Sequence, residues 1–175
     1  PELSYHDLGH TLDVAAAAGR IARREGLSPG ETILVETAAL LHDSGMSINY
    51  ENHEEASVRL ASTILPALDY SSENIDTICR LIMVTRLPQQ PADLSGMILC
   101  DADLDYLGRD DYHVLAFKLR QEWKNKNISH ASLREWLSFQ LRFMEKHQYF
   151  THTAKQWRDP GKQLHIRDLK ELFSH

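Results

Sequence analysis

Three short stretches of the sequence place ionisable side chains where a folded protein could use them for chemistry. The stretch SYHDLGHTLDV sets His6 and His10 four residues apart, so both lie on one side of a predicted helix. In ETAALLHDSGM an apolar run leads into His42 and Asp43, and in ILCDADLDYLG Asp101 follows an apolar quartet. Burying such groups is costly unless a partner satisfies them, and a metal ion is one such partner.

Two imidazoles and two carboxylates drawn from these stretches would form a mixed nitrogen and oxygen ligand set. Its members are His10, His42, Asp43 and Asp101. Such a set suits Mn²⁺, Fe²⁺, Co²⁺, Ni²⁺ or Mg²⁺ with open water positions, and it differs from the cysteine-rich sets of structural zinc sites. The sequence therefore predicts a divalent metal ion (Mn, Fe, Co, Ni, Mg or Zn), one per chain.

The elements that must position these residues all carry helical periodicity, and strand signals are nearly absent. The predicted helices cover 5–25, 31–43, 53–68, 72–86, a span from 92 or 94 to 107, 110–124 and 129–147. The tail is predicted to be helical at 154–157 and again at 166–172, with RDPG between. The expected fold class is all-α, with a metal site between helices.

Bulk properties set the limits for fold and location. The 175 residues are enough for a single compact multi-helix domain spanning 1–175. A net charge of −6 argues against broad binding to nucleic acid or to an anionic membrane surface. Cys79 and Cys100 lie among apolar neighbours, which predicts two buried thiols in a reducing compartment. With no signal pattern or membrane-spanning run, a cytoplasmic location is expected.

The order of these motifs resembles the HD-domain superfamily of metal-dependent phosphohydrolases. YHDLGHTLDV is similar to the family's opening YHNxxHTxxV, and ALLHDSG to its central ALLHDIG. ENHEEASVRLA resembles the helix that usually follows, and LCDADLDYLG the closing metal-ligand segment. The resemblance runs from His6 to about Asp111.

The resemblance implies roles for individual residues. It makes His10, His42, Asp43 and Asp101 the metal ligands, and it places His6 where the cyclic-nucleotide phosphodiesterases keep a histidine that protonates the leaving oxygen. A divalent metal lowers the pKa of bound water and neutralises charge on phosphoryl oxygens. Asp43 or Asp101 could then accept the proton of the attacking water.

Several positions depart from the metal-rich branches of the family. His53 could be one of their further ligands, but LIMVTRLPQQP has no histidine where the next is expected, which favours a single metal ion. Met46 stands where the cyclic-dinucleotide branch has a lysine, which argues against that substrate. The chain also opens almost on its first motif, which leaves open a fragment of a longer protein with an upstream regulatory domain.

The remaining charged residues have weaker expectations. Arg86, Arg109 and Lys162 are candidates for holding a substrate phosphate, while Asp103 and Asp105 are expected to cap, to pair with Arg109 or to face solvent. The other histidines have no partner at ligand spacing and are expected on the surface or as satisfied polar residues. They are His113, His130, His147, His152, His165 and His175.

The favoured function is hydrolysis of a phosphomonoester or phosphodiester bond in a small, nucleotide-like substrate by a metal-activated water. One alternative is a degenerate HD-type signalling or interaction module without catalysis. Another is a di-iron oxygenase of the same fold. No membrane partner is expected, and the sequence leaves open a homo-oligomer.

Overall fold

The computed structural model describes residues 3–173, so the expectation for His175 lies outside it. Within that range the chain forms eight α-helices and no strand, which confirms the all-α prediction. The helices are α1 (Leu8–Glu25), α2 (Pro29–Leu41), α3 (His53–Ile64), α4 (Ser72–Val84), α5 (Leu94–Asp103), α6 (Tyr112–Asn125), α7 (Leu133–Lys146) and α8 (His152–Phe173). None of the described helices is both long enough and apolar enough to cross a membrane.

Short 3₁₀ turns replace the ends of two predicted helices. The predicted helix 53–68 is α-helical only to Ile64 and continues as a 3₁₀ turn over Leu65–Leu68, because Pro66 has no N–H to extend the α-helical ladder. The predicted fifth helix likewise ends at Asp103 and is followed by a 3₁₀ turn over Asp105–Gly108.

The chain divides into two compact units. The first unit is Leu8–Leu104, and the second joins the segment up to Asp7 with the chain from Asp105 onward. The prediction of one domain spanning 1–175 stays a prediction.

In the first unit, α1 packs against α2 and α5, α2 also packs against α4, and α3 packs against α4. The buried face of α1 follows the helical repeat. It consists of Val14, Ala17, Ala18, Gly19, Ile21 and Ala22. Five of these six residues are no larger than valine, which allows the helix axes to approach closely. Both cysteines are free thiols in this unit, with Cys100 buried and Cys79 half-buried.

In the second unit, α8 packs against α7 and against the Asp105–Gly108 turn. Near the α6–α7 connection, the rings of Trp123 and Trp136 meet edge to face at 5.3 Å. Such aromatic contacts contribute both buried area and a preferred geometry.

The tail corrects a prediction, because α8 runs without interruption through RDPG and contains Pro160. Tertiary packing explains this: a Cβ on Gly161 would lie 2.2 Å from the carbonyl oxygen of Gly108, so the helix and the turn meet backbone to backbone. Arg158 also binds Asp105 with two hydrogen bonds of 2.6 and 3.0 Å. These contacts offset the hydrogen bond that the proline removes.

Candidate metal centre

The helix α2 delivers the central His-Asp pair. It starts at a capping box in which Ser28 and Glu31 satisfy each other's backbone N–H groups, with Pro29 in the first turn. It ends at Leu41, so His42 follows directly on the last turn. The Nδ1 of His42 lies 2.7 Å from the carbonyl oxygen of Ala39, which can only accept, so Nδ1 carries the proton of this hydrogen bond.

A buried serine on α3 fixes the turn that follows. The hydroxyl of Ser57 donates to the carbonyl of His42 at 2.6 Å and accepts from the N–H of Gly45 at 2.8 Å. A Cβ on Gly45 would lie 2.1 Å from the carbonyl oxygen of His53, so only glycine lets the turn approach α3 this closely. The turn therefore holds His42 and Asp43 in a set position beside the start of α3.

Three of the four predicted ligands come together. His10, His42 and Asp43 each offer one ligand atom, and these atoms lie within 4.8 Å of one another. The Oδ2 of Asp43 is 3.1 Å from Nε2 of His42 and 3.4 Å from Nε2 of His10.

A carboxylate outside the predicted ligand set also lies close to the two imidazoles. Oδ1 of Asp103 lies 3.4 Å from Nε2 of His42 and 3.8 Å from Nε2 of His10. Asp101 is fully buried, and neither Asp101 nor Asp103 is part of the three-residue group. Two residues span roughly 200° around an α-helix, so Asp101 and Asp103 leave α5 on nearly opposite sides. The distances place Asp103 beside both imidazoles, and Asp101 as the fourth ligand stays a prediction.

The chemistry of His42 fits a bound cation. Since its Nδ1–H donates to Ala39, Nε2 of the neutral ring is a lone pair, and it faces two carboxylates that are also acceptors. This Nε2 is buried and has no hydrogen-bond partner among the described residues. A divalent metal ion would satisfy all three groups at once, and the Nδ1–H to carbonyl bond would fix the ring as it does in many metal sites.

The charges of the cluster shift the pKa of its members. Burial alone would lower the pKa of His42, but the negative charge of Asp43 and the carboxylate oxygens of Asp103 and Asp43 beside the ring raise it well above the ordinary value. For Asp43, burial would raise the pKa, but the opposing charge of His42 and hydrogen bonds from the neighbouring imidazoles hold it well below its usual range. The raised pKa of His42 reflects the negative charge around its ring, and the lowered pKa of Asp43 keeps that carboxylate ionised, so the cluster attracts a cation.

Two further predicted residues lie at the edge of this group. Nε2 of His53 is 3.2 Å from Oδ1 of Asp43. The other oxygen of that carboxylate, Oδ2, faces His10 and His42. The guanidinium of Arg86 binds Glu54 and Glu55, at 3.4 and 3.1 Å. His53 is thus positioned on the cluster, whereas Arg86 is engaged by two carboxylates on α3.

The other predicted residues belong to the second unit. The imidazole of His6 pairs with the carboxylate of Glu122, whose other oxygen accepts from the N–H groups of Tyr5 and His6 at 2.8 and 3.1 Å. Arg109 holds Asp111 with two hydrogen bonds of 2.9 and 2.6 Å.

Two lesser expectations also need revision. Asp105 pairs with Arg158, whereas the sequence predicted that it would cap, pair with Arg109 or face solvent. Lys162 is buried, and its ammonium donates to the carbonyl of His147 at 2.8 Å.

Sequence reasoning missed Ser57 and gave Asp103 a surface role. Nothing in the spacing distinguishes Ser57 from the other serines. The direction in which Asp103 points depends on how α5 packs against its neighbours, and the local sequence carries no signal of that packing. Sequence reasoning also missed a second group of possible metal ligands. In this group His113 and His165 lie near the carboxylate of Asp168.

Comparison with family models gives a match to the HD domain over residues 7–105. This covers more than half of the chain and contains His10, His42, Asp43 and Asp103.

Among curated proteins, an uncharacterized protein of Clostridium beijerinckii is 41% identical over 76 residues, which are 42% of this chain and 48% of that protein. Ribonuclease Y of Aliarcobacter butzleri is 30% identical over 128 residues, 72% of this chain and 23% of that enzyme. The chain thus spans about half the length of one relative and about a quarter of the other.

Two solved structures share the fold. A predicted HD superfamily hydrolase from an uncultured Thermotogales bacterium superposes with a TM-score of 0.65 at 22% identity, covering 97% of this chain and 80% of that one. Bacillus subtilis YpgQ, solved in complex with ADP, gives a TM-score of 0.71 at 21% identity, covering 98% and 90%.

Proposed function

Because this chain belongs to the HD domain family, we propose that it is a metal-dependent phosphohydrolase acting on a small, nucleotide-like phosphoester. The observation that carries the proposal is the buried Nε2 of His42 facing the carboxylates of Asp43 and Asp103. The ligand set proposed for the metal is His10, His42, Asp43 and Asp103, with one ion per chain. When bound, the ion would supply Lewis-acid polarisation of a phosphoryl oxygen and a water of lowered pKa.

The residues around the ligands have their own proposed tasks. Asp43 has one oxygen toward the imidazoles and the other 3.2 Å from His53, so the ring of His53 orients this carboxylate. A carboxylate fixed in this way can accept a proton from an attacking water. His6, with its ring held by Glu122, is proposed to protonate the leaving oxygen, as the family resemblance implies.

Support for a nucleotide-like substrate comes from the neighbours. YpgQ was solved with ADP, and a second relative is a ribonuclease. A net charge of −6 favours a small substrate over a long polyanion, because a nucleic acid would be repelled. The native metal, from Mn, Fe, Co, Ni, Mg or Zn, is part of what the experiment must identify.

The test combines metal content with turnover. Protein purified without chelator is analysed by elemental mass spectrometry, then assayed with Mn²⁺, Co²⁺, Ni²⁺, Mg²⁺ or Zn²⁺ on nucleoside mono-, di- and triphosphates, cyclic nucleotides and a short RNA. The variant is Asp43→Asn, and the matched control is Asp76→Asn, an exposed aspartate on α4 of the same unit.

We expect phosphate release with at least one of these substrates in the wild type and in Asp76→Asn, and a loss of about 100-fold or more in Asp43→Asn. Metal bound with equal affinity by Asp43→Asn and wild type would contradict the ligand set. Bound metal without turnover of any substrate would favour the non-catalytic module, and two irons per chain would favour the oxygenase.

A further inference from the structure

A second group of metal-binding side chains lies in the other unit. His113 stands in the first turn of α6, and His165 and Asp168 lie three residues apart on α8, hence on one side of that helix. Each offers one ligand atom, and the three atoms lie within 4.8 Å of one another. His113 and Asp168 are exposed, and His165 is buried, with 9% of its surface accessible.

The hydrogen bonding of His165 leaves one nitrogen for a ligand. Nε2 lies 2.9 Å from the carbonyl oxygen of Arg109, and since a carbonyl only accepts, Nε2 carries the proton. Nδ1 is then a lone pair, and it is buried without a hydrogen-bond partner among the described residues. An imidazole whose one N–H donates to a backbone carbonyl and whose other nitrogen is bare has the arrangement usual for a metal ligand.

Packing alone does not explain why Nδ1 of His165 is buried without a hydrogen-bond partner among the described residues. The ring of His165 stacks on that of Tyr112 at 4.8 Å and 24°, and it meets the ring of His113 edge to face at 5.2 Å. These contacts bury the faces of the imidazole but provide no donor to Nδ1. A buried acceptor left unsatisfied destabilises the folded state, so a cation bound to Nδ1 would remove that penalty.

We propose that His113, His165 and Asp168 bind a divalent ion of the zinc class in a second site, independent of the HD centre. Two imidazoles and one carboxylate with the open side toward solvent match a zinc site that keeps a position for water. The ion would connect the start of α6 to α8 and so stabilise the second unit. The proposal goes beyond the phosphohydrolase proposal and does not depend on it.

Zinc binding by the full chain tests the site. Four proteins are titrated with Zn²⁺ in competition with a chromogenic chelator: wild type, His113→Ala, Asp168→Asn and Asp43→Asn. The matched control is His130→Ala, an exposed histidine outside both groups. Thermal unfolding followed by circular dichroism, with and without Zn²⁺, accompanies each titration.

We expect His113→Ala and Asp168→Asn to bind one Zn²⁺ equivalent at least about tenfold more weakly than wild type, since even outer partners of a metal site contribute 10–100-fold. His130→Ala should bind as wild type does. Without zinc, His113→Ala, Asp168→Asn and His130→Ala should melt as the wild type does, because these three side chains are exposed. Unchanged zinc affinity and stoichiometry in both His113→Ala and Asp168→Asn would overturn the site. The Asp43→Asn titration reports the HD centre separately. Failure of the phosphohydrolase proposal and failure of the second-site proposal would therefore be seen in different variants.

Discussion

At the scale of single residues, the ligand set of the candidate metal centre depends on whether Asp101 or Asp103 reaches the imidazoles. The sequence favours Asp101 because it continues an apolar run, whereas the distances favour Asp103. A carboxylate that follows a buried stretch is often itself buried, as Asp101 is, but burial and ligation are different properties. Only the rotation of α5 against α1 and α2 decides which of the two faces the cluster.

We predict that Asp103→Asn weakens metal binding by at least about tenfold, because the amide oxygen is a poorer ligand than a carboxylate and leaves the imidazoles with one charge fewer. Isothermal titration with Mn²⁺ or Co²⁺ measures the change. Asp101→Asn serves as the comparison, with circular dichroism to confirm that each variant folds. Loss of binding in Asp101→Asn and its retention in Asp103→Asn would restore the original assignment.

A buried carboxylate in the second unit makes stability depend on pH. Burial would raise the pKa of Glu122, but its pairing with His6 and the N–H groups of Tyr5 and His6 lower it to about 2, from an ordinary value of 4.5. A depressed pKa means that the folded state binds the proton less tightly than the unfolded state does. The stabilisation is therefore complete above pH 4.5 and is lost as the pH falls from 4.5 toward 2.

We expect Glu122→Gln to lower the free energy of unfolding at pH 7 by up to about 3 kcal/mol, and the difference from wild type to shrink as the pH falls below 4.5. Urea unfolding at several pH values measures it. Glu171→Gln, an exposed change on α8, should follow the wild type throughout. A difference that is constant from pH 7 to pH 3 would show that Glu122 acts through packing and not through its charge.

At the scale of elements, the turn after α2 shows why a glycine follows the His-Asp-Ser triplet. The 3₁₀ turn Ser44–Ser47 packs against the first residues of α3 so closely that a Cβ at Gly45 would meet two backbone groups and the side chain of Ala56. Backbone cannot move aside as a flexible side chain can, so a methyl group here must shift the turn or the helix.

We predict that Gly45→Ala lowers the free energy of unfolding by about 1–3 kcal/mol or more and weakens metal binding, since it displaces His42 and Asp43 relative to His53. Gly30→Ala is the matched control, because a Cβ there has no neighbour within 4 Å and alanine favours the helix that it begins. Chemical denaturation and metal titration measure both effects. Equal stability of the two variants would mean that the turn can relax without strain.

The elements were predictable where local sequence determines them. Helical periodicity identified most of the helices, because this signal acts within a few residues. The break expected at RDPG was wrong because the approach of Gly161 to Gly108 is a contact between residues more than fifty positions apart. The same reason hid the proximity of His165 to His113, while Ser57 contacts residues 12 and 15 positions away, which is still beyond the reach of local sequence signals.

At the scale of the whole molecule, metal binding and folding should be linked. An ion that binds only the folded state stabilises it by about 2.7 kcal/mol at a free concentration one hundred times its Kd. For a chain of this length that corresponds to a rise in Tm of about 5–10 °C.

We expect a chelator to lower the Tm of His113→Ala loaded with Mn²⁺ by this amount, and to leave the Tm of the double variant His113→Ala with Asp43→Asn unchanged. The His113→Ala background restricts the effect to the HD centre. Scanning calorimetry measures both proteins. A chelator effect of equal size in the double variant would place the stabilising ion elsewhere.

The tryptophans are unevenly distributed along the chain. All three, at positions 123, 136 and 157, follow Asp105, so Leu8–Leu104 has none. Tryptophan emission will therefore originate in the unit that holds His113 and His165. A coloured ion such as Co²⁺, or a fluorophore introduced into Leu8–Leu104, would give the HD centre an optical signal of its own.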